Sequence, residues 1–234
     1  MNDVLDFRNG IKDVVPTLFG YIGVGIAFGI VAKTSHLSVW MVLFMSLIVY
    51  AGSAQFIIAS MLLASSPISA IVISTILINA RMSLMSMAVA PYLKDESFAK
   101  NIGVGTLLTD ETFALSMNKM NYTDNKLDSH WFNSANLVAY LVWALATVAG
   151  NLIGGLFPDP AVLGLDFAVV AMFIGLLYLQ IIADRTRPLA RHFQVFLFVA
   201  LAMFILMRFL PGNSAILVAT ILGCIFGMVV NHND

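Results

Sequence analysis

The stretch Tyr50-Ala51-Gly52-Ser53-Ala54-Gln55-Phe56 lies in the middle of a segment, Leu37 to Ala80, that contains no Asp, Glu, Lys, Arg or His. A bilayer core is crossed by ~20 apolar residues as helix, so this segment is long enough for two spans. A turn at Ser65-Ser66-Pro67 divides it. Lipid offers no hydrogen-bond partners, so Gly52, Ser53 and Gln55 are tolerated at depth only against protein or a watery cavity. That makes the stretch a candidate functional site. Small residues also mark helix contacts, and a packing patch is the competing reading.

Composition places the whole chain in the same environment. Its 234 residues are 60% hydrophobic and 11% charged, with mean hydropathy +0.91, whereas soluble domains carry roughly 25% charged residues. This is a polytopic membrane protein. A net charge of -1 leaves no electrostatic footprint for nucleic acid. The single cysteine, Cys224, excludes disulfides within the chain and a cysteine-rich metal site.

Eight apolar runs follow one another: Val14 to Ala32, Val39 to Ala64, Pro67 to Leu93, Phe98 to Asn118, Trp131 to Phe157, Phe167 to Ala183, Phe193 to Met207 and Phe209 to Val230. The mixed charges of Asp3, Asp6 and Arg8 are unlike a basic signal n-region, so the first run reads as a retained span. Gly20, Gly23, Gly25 and Gly29 predict a glycine face for close helix packing, as do Gly150xxxGly154 and Gly223xxxGly227. The polar connection from Lys119 to His130 suggests halves 1–120 and 129–234 within a single membrane domain covering 1–234. A loose likeness between 166–180 and 38–55 suggests a weak internal repeat.

Two runs carry residues that lipid does not tolerate cheaply. Arg81, after Asn79 and Ala80 in the third run, costs ~2.5–3.5 kcal/mol at a membrane centre on insertion scales. It requires a partner, or else snorkels to an interface from a tilted helix. The fourth run holds Thr109-Asp110-Glu111-Thr112 at its centre. Three readings stand: a span whose acidic centre faces the bundle, a re-entrant pair of short segments turning at Thr109 to Thr112, or an amphipathic surface helix. The last fits least well, because the apolar residues are not confined to one face. Lys and Arg placement favours eight spans with the N-terminus inside and seven with it outside about equally.

Other chemistries find little support. Gly52-Ser53-Ala54 lacks the second glycine of a nucleophile elbow, and His36, His130, His192 and His232 stand at loop or terminal positions without metal-binding spacing. No glycine loop ending in Gly-Lys-Ser/Thr occurs. The sequence therefore predicts no catalytic residues, no metal and no cofactor. What remains is an intramembrane polar set, and it suits a secondary transporter. A zwitterionic cargo needs donors for its carboxylate and acceptors for its ammonium group in a largely apolar pocket. Gly52, Ser53, Gln55, Asn79 and Arg81 are the candidate substrate-binding residues; Thr109, Asp110 and Glu111 are the candidates for ion coupling or an ion pair with Arg81. A break at Gly52-Ser53-Ala54 would present helix N–H groups at mid-membrane depth.

Four motifs in order also carry a resemblance: Tyr50 to Phe56, Asn79-Ala80-Arg81, Ala90-Pro91-Tyr92-Leu93, and Leu108-Thr109-Asp110-Glu111-Thr112-Phe113-Ala114. Together they resemble the AzlC family, the large subunits of bacterial branched-chain amino-acid exporters, over roughly residues 14 to 118. The resemblance implies export of Leu, Ile and Val, with Met as a further cargo, from the cytoplasm and driven by an ion gradient such as protons. It also implies a small hydrophobic AzlD-like partner and the bacterial cytoplasmic membrane. The expected structure is all-α, a membrane helix bundle of seven or eight hydrophobic segments with broken or re-entrant helices. A channel or a non-transporting scaffold subunit is the alternative function.

Overall fold

The computed structural model describes residues 2–156, 188–210 and 212–232, with residues 174, 175, 177, 178 and 181 between them. All regular structure among the described residues is helical. Most of the run from Phe167 to Ala183, and with it the likeness between 166–180 and 38–55, lies outside the described residues. The chain forms two units, Met1–Ala183 and Asp184–Asp234.

The first unit is organised by two long helices, α1 (Phe7–Thr34) and α7 (Ser129–Gly154). Gly10 of α1 lies against Trp131 and Ser134, Gly25 against Ala146, and Gly29 against Thr147 and Gly150. Gly154 in turn meets Ile30 and Lys33. Numbers rise together along both helices, so they run in the same direction. A side chain on Gly29 or Gly150 would overlap the partner's backbone, which is why these positions hold glycine. Gly20 and Gly23 face open space, so the glycine face is narrower than the spacing predicts.

Two parallel helices need a crossing in the opposite direction between them. That crossing is α4 (Ile68–Val89), extended by a 3-10 turn over Ala90–Leu93. The segments on either side of α4 each return to the face they enter from, as their contacts with α1 and α7 show.

In the first, α2 (Val39–Ile48) and α3 (Gly52–Leu63) are about 15 and 18 Å long at ~1.5 Å per residue, each about half of a ~30 Å hydrocarbon core. Descending along α7, α2 has the Leu37 carbonyl accepting from Asn151, Ser46 against Thr147, and the Leu47 carbonyl accepting from Tyr140. Climbing back along α1, α3 sets Gly52 against Trp143 and Phe56 against Phe28, and Ala59 joins a cluster with Phe28, Ala32 and Leu37. The run Val39 to Ala64, long enough for a span, is therefore a re-entrant hairpin.

The fourth run is a second hairpin, of α5 (Phe98–Thr106) and α6 (Asp110–Met120). Glu96 accepts from the Ser129 N–H, the Lys100 carbonyl from Asn133 and the Val104 carbonyl from Asn136, so α5 runs in the direction of α7. Thr109 meets Tyr21 and Lys119 pairs with Asp13, so α6 runs back along α1. Of the three readings open for this run, the structure takes the re-entrant one, with the turn at Leu107-Leu108-Thr109 rather than at Thr109 to Thr112, because Thr109 caps α6 and Asp110 to Thr112 form its first turn.

A long helix followed by a hairpin entering from that helix's far end thus occurs twice, over 7–63 and 68–120, in opposite directions. This is an inverted-topology repeat of the kind found in transporters.

In the second unit, α8 (Leu189–Leu206) and α9 (Gly212–His232) form an antiparallel pair. Gly223 lies against Val199, and Phe198 stacks on Phe226 at 4.2 Å. Helices α1, α4 with its 3-10 turn, α7 and α8 are each long and apolar enough to cross a membrane. The protein is a multi-pass, all-α membrane protein.

Candidate functional site

The two hairpin tips, Val49-Tyr50-Ala51 and Leu107-Leu108-Thr109, come together beside Tyr21 of α1. The chain reverses at the first tip by placing Tyr50 in the left-handed region, with φ 42°. For a residue with a Cβ that conformation costs ~1–3 kcal/mol and is held only by its surroundings. Here the Tyr50 ring is buried and packs edge-on against Tyr140, centroids 4.8 Å apart. The N-cap of α3 is Ala51, which has no side-chain acceptor, so the first N–H groups of α3 lack a side-chain cap.

The second tip is finished differently. Thr109 caps α6, its hydroxyl accepting from the Thr112 N–H at 3.3 Å while its own N–H donates to the Thr112 hydroxyl at 3.0 Å. The two form a reciprocal capping box. Asp110 and Glu111 occupy the first turn of α6, where the helix dipole favours negative charge.

Arg81, midway along α4, joins the two tips. Its Nη2 stands 2.9 Å from Asp110 Oδ2 and donates to Ser53 Oγ at 2.8 Å. The guanidinium thus has both a carboxylate and a hydroxyl partner. The ion pair is largely sheltered, with side-chain exposure of 30% for Arg81 and 12% for Asp110.

A small cavity of about 20 Å³ lies between the tips, lined by Tyr21, Tyr50, Ala51, Gly52, Ser53, Met82, Thr109, Asp110, Glu111 and Trp143. Of the residues singled out in the sequence, Gly52, Ser53, Thr109, Asp110 and Glu111 line it, and Arg81 reaches two of them. Glu111 has no Lys, Arg or His within ion-pair distance among the described residues.

Gln55 and Asn79 stand outside this lining. Gln55 is fully buried, donating from Nε2 to Ser46 Oγ at 3.0 Å and accepting from Trp143 Nε1 at 2.8 Å. Ser46 in turn meets the Thr147 hydroxyl at 2.7 Å. Both ends of the Gln55 amide are engaged, and through them it ties α2, α3 and α7 together. Asn79 sits partly buried on α4 with its Oδ1 unpartnered.

Tyr21, Met82 and Trp143 were not singled out by the sequence, because aromatic residues and methionine are ordinary in apolar runs. Tyr50 did carry a signal, standing just before the Gly-Ser break. Away from the cavity, one group of three described residues has metal-ligand spacing: Glu96, Asp128 and His130. Each carboxylate there already serves the fold. Asp128 caps α7, and Glu96 accepts from the Ser129 N–H and pairs with Lys100 at 3.0 Å. Those hydrogen bonds, Ser129 first and Lys100 next, hold the Glu96 carboxyl down at about 2.

Among the described residues no histidine or cysteine lines the cavity, and the Ser53 hydroxyl accepts from the Arg81 guanidinium.

The family described as AzlC protein matches residues 16–157. The chain is 29% identical over 221 residues to the branched-chain amino acid transport protein AzlC of Bacillus subtilis, covering 91% of this chain and 80% of that one. It is 31% identical over 216 residues to an uncharacterized membrane protein of Haemophilus influenzae, covering 89% and 82%. It is likewise 31% identical over 179 residues to the inner membrane protein YgaZ of Escherichia coli, covering 73% and 71%. No solved structure matches.

Proposed function

The chain belongs to the AzlC family, and from that premise we propose that it is a secondary transporter exporting Leu, Ile and Val, with Met as a further cargo, from the bacterial cytoplasm. Arg81 carries this reading, because it bridges two hairpin tips that enter from opposite ends of the bundle. The uncapped N-terminus of α3, with Ser53 and Arg81 beside it, offers donors for an α-carboxylate. Asp110 and Glu111 across the cavity offer acceptors for an ammonium group. Met82, Trp143 and Ala51 supply an apolar wall for an aliphatic side chain.

The cavity holds about one water, whereas small-molecule sites measure ~300 Å³ or more. The tips are therefore closed on one another, and a cargo enters when one hairpin withdraws from the other. Separate withdrawal of each hairpin opens the site to one face at a time, which is alternating access. The bridging of both tips by Arg81 across a cavity this small favours this over the channel reading. An ion gradient such as that of protons drives the export, and a small hydrophobic AzlD-like subunit completes the transporter in the cytoplasmic membrane.

The test is the leucine content of cells fed leucine-containing dipeptides. Cells producing this chain with its small partner are expected to clear internal leucine. Unchanged internal leucine, with both proteins present in the membrane, would falsify the exporter reading and leave the scaffold alternative.

A further inference from the structure

Two adjacent carboxylates line the cavity, and the structure treats them differently. Asp110 is balanced by Arg81 at 2.9 Å. Glu111, the next residue, points ~100° away around α6 and faces the cavity without a basic partner among the described residues.

The groups around it can be taken element by element. From α1 comes Tyr21, whose hydroxyl is engaged with Thr109. From the first hairpin comes Tyr50, buried, its hydroxyl making no hydrogen bond of ordinary geometry. Helix α7 contributes Trp143, which does not titrate, and α4 contributes Arg81, directed at Asp110 and Ser53. On α6 itself stands Asp110. Two turns further along, the fully buried Lys119 is paired with Asp13 at 2.7 Å.

A lone carboxylate charge in such a place is costly. It is balanced by a proton when the site is empty, or by a cation when a cargo with an ammonium group is bound. We propose that Glu111 is the carboxyl at which a proton and the cargo's ammonium group exclude one another, so that binding the amino acid itself releases the coupling proton. This rests on the transporter reading above. In the loading step the Glu111 O–H bond breaks, its proton goes to water on the open side, and the carboxylate pairs with the incoming ammonium group. One carboxylate cannot hold both partners, so an amino acid leaves the cell only in exchange for a proton.

The experiment uses the purified full chain in detergent and L-leucine as the probe, in a weakly buffered solution containing a pH-indicator dye. The wild type is expected to release about one proton per leucine bound, and its leucine affinity to rise by up to about tenfold per pH unit as pH increases. Glu111→Gln is expected to release none and to bind leucine more weakly, with no dependence on pH. Glu96→Gln, outside the cavity, is expected to release protons as the wild type does. Leucine binding by the wild type without proton release and with a flat pH profile overturns the proposal, as does undiminished release from Glu111→Gln. Should the Gln variant fail to fold, the wild-type pH series alone decides the matter. Absence of any leucine binding by the wild type would instead sink the transporter reading itself.

Discussion

The first hairpin reverses at Tyr50 and is held near its tip by neutral groups, the Ser46, Gln55, Trp143 and Thr147 network. The second reverses at Leu108 and is held by charge, with Arg81 and Asp110 at the tip and Lys119 and Asp13 at the base. Their helix starts differ in the same sense. Helix α3 begins without a side-chain cap, whereas α6 begins with a capping box and two carboxylates. The repeat thus reproduces a backbone shape with different chemistry at its two copies. On the proposed function, one tip keeps donors for the cargo's carboxylate and the other keeps acceptors for its ammonium group.

The largest expected effect comes from severing the bridge between them. Arg81→Ala leaves Asp110 uncompensated in a sheltered place and removes the donor to Ser53. Transport is expected to fall by about a hundredfold or more, equivalent to ~3 kcal/mol, with the protein still present in the membrane. Transport of leucine by this variant at the wild-type rate would mean that the tips work independently and that Arg81 has no part in the pocket.

How far this division could be read from the sequence depended on the cost of each residue. Arg81, Asp110 and Glu111 were legible because charge inside apolar runs demands an explanation. Gly25, Gly29, Gly150 and Gly154 were legible as packing glycines for a related reason, since only small residues let helices approach so closely. Gln55 drew notice on the same grounds, but a buried polar side chain satisfied by Ser46 and Trp143 has the same sequence signature as one that meets a ligand. The first hairpin was hidden because Val39 to Ala64 has the length of a span, and only the contacts of α2 with α7 and of α3 with α1 show that it turns back. The repeat itself left no likeness between Tyr50-Ala51-Gly52-Ser53 and Leu108-Thr109-Asp110-Glu111, because the two tips begin their helices with different chemistry, one uncapped and one with a capping box and two carboxylates.

A smaller and more discriminating effect is expected from giving the first tip the cap of the second. Ala51 has the extended backbone of an N-cap, φ −143° and ψ 99°, so Ala51→Ser can place a hydroxyl over the free N–H groups of α3. The gain in stability is expected to be ~0.5–1 kcal/mol, read as a higher melting temperature. Leucine binding is expected to weaken, because the new hydroxyl occupies donors that the cargo carboxylate would use. Thr109→Val, by contrast, removes a cap without freeing a donor for an anion, and both stability and leucine binding are expected to fall. If Ala51→Ser stabilises the protein and leaves leucine affinity unchanged, the uncapped end of α3 is not where the carboxylate sits.

The smallest effect tests whether the charged character of the second hairpin extends to its base, outside the membrane. Glu96 stands in the turn before α5, and hydrogen bonds from Ser129 and from Lys100 lower its carboxyl from an ordinary 4.5 to about 2. A group with a lowered pKa in the folded state contributes stability that is present above the unfolded value and is lost as its carboxylate is protonated. For Glu96 that contribution is complete above about pH 4.5 and disappears as pH falls toward about 2. Its ion pair with Lys100 is partly exposed, with side-chain exposure of 20% for Glu96 and 40% for Lys100, so the change is expected to be small. Glu96→Gln should flatten this part of the melting-temperature profile and leave the profile near neutral pH parallel to that of the wild type. An unchanged acid slope in the variant would place the acid sensitivity elsewhere, and the ties that fix α5 to α7 would then be the neutral ones from Asn133 and Asn136.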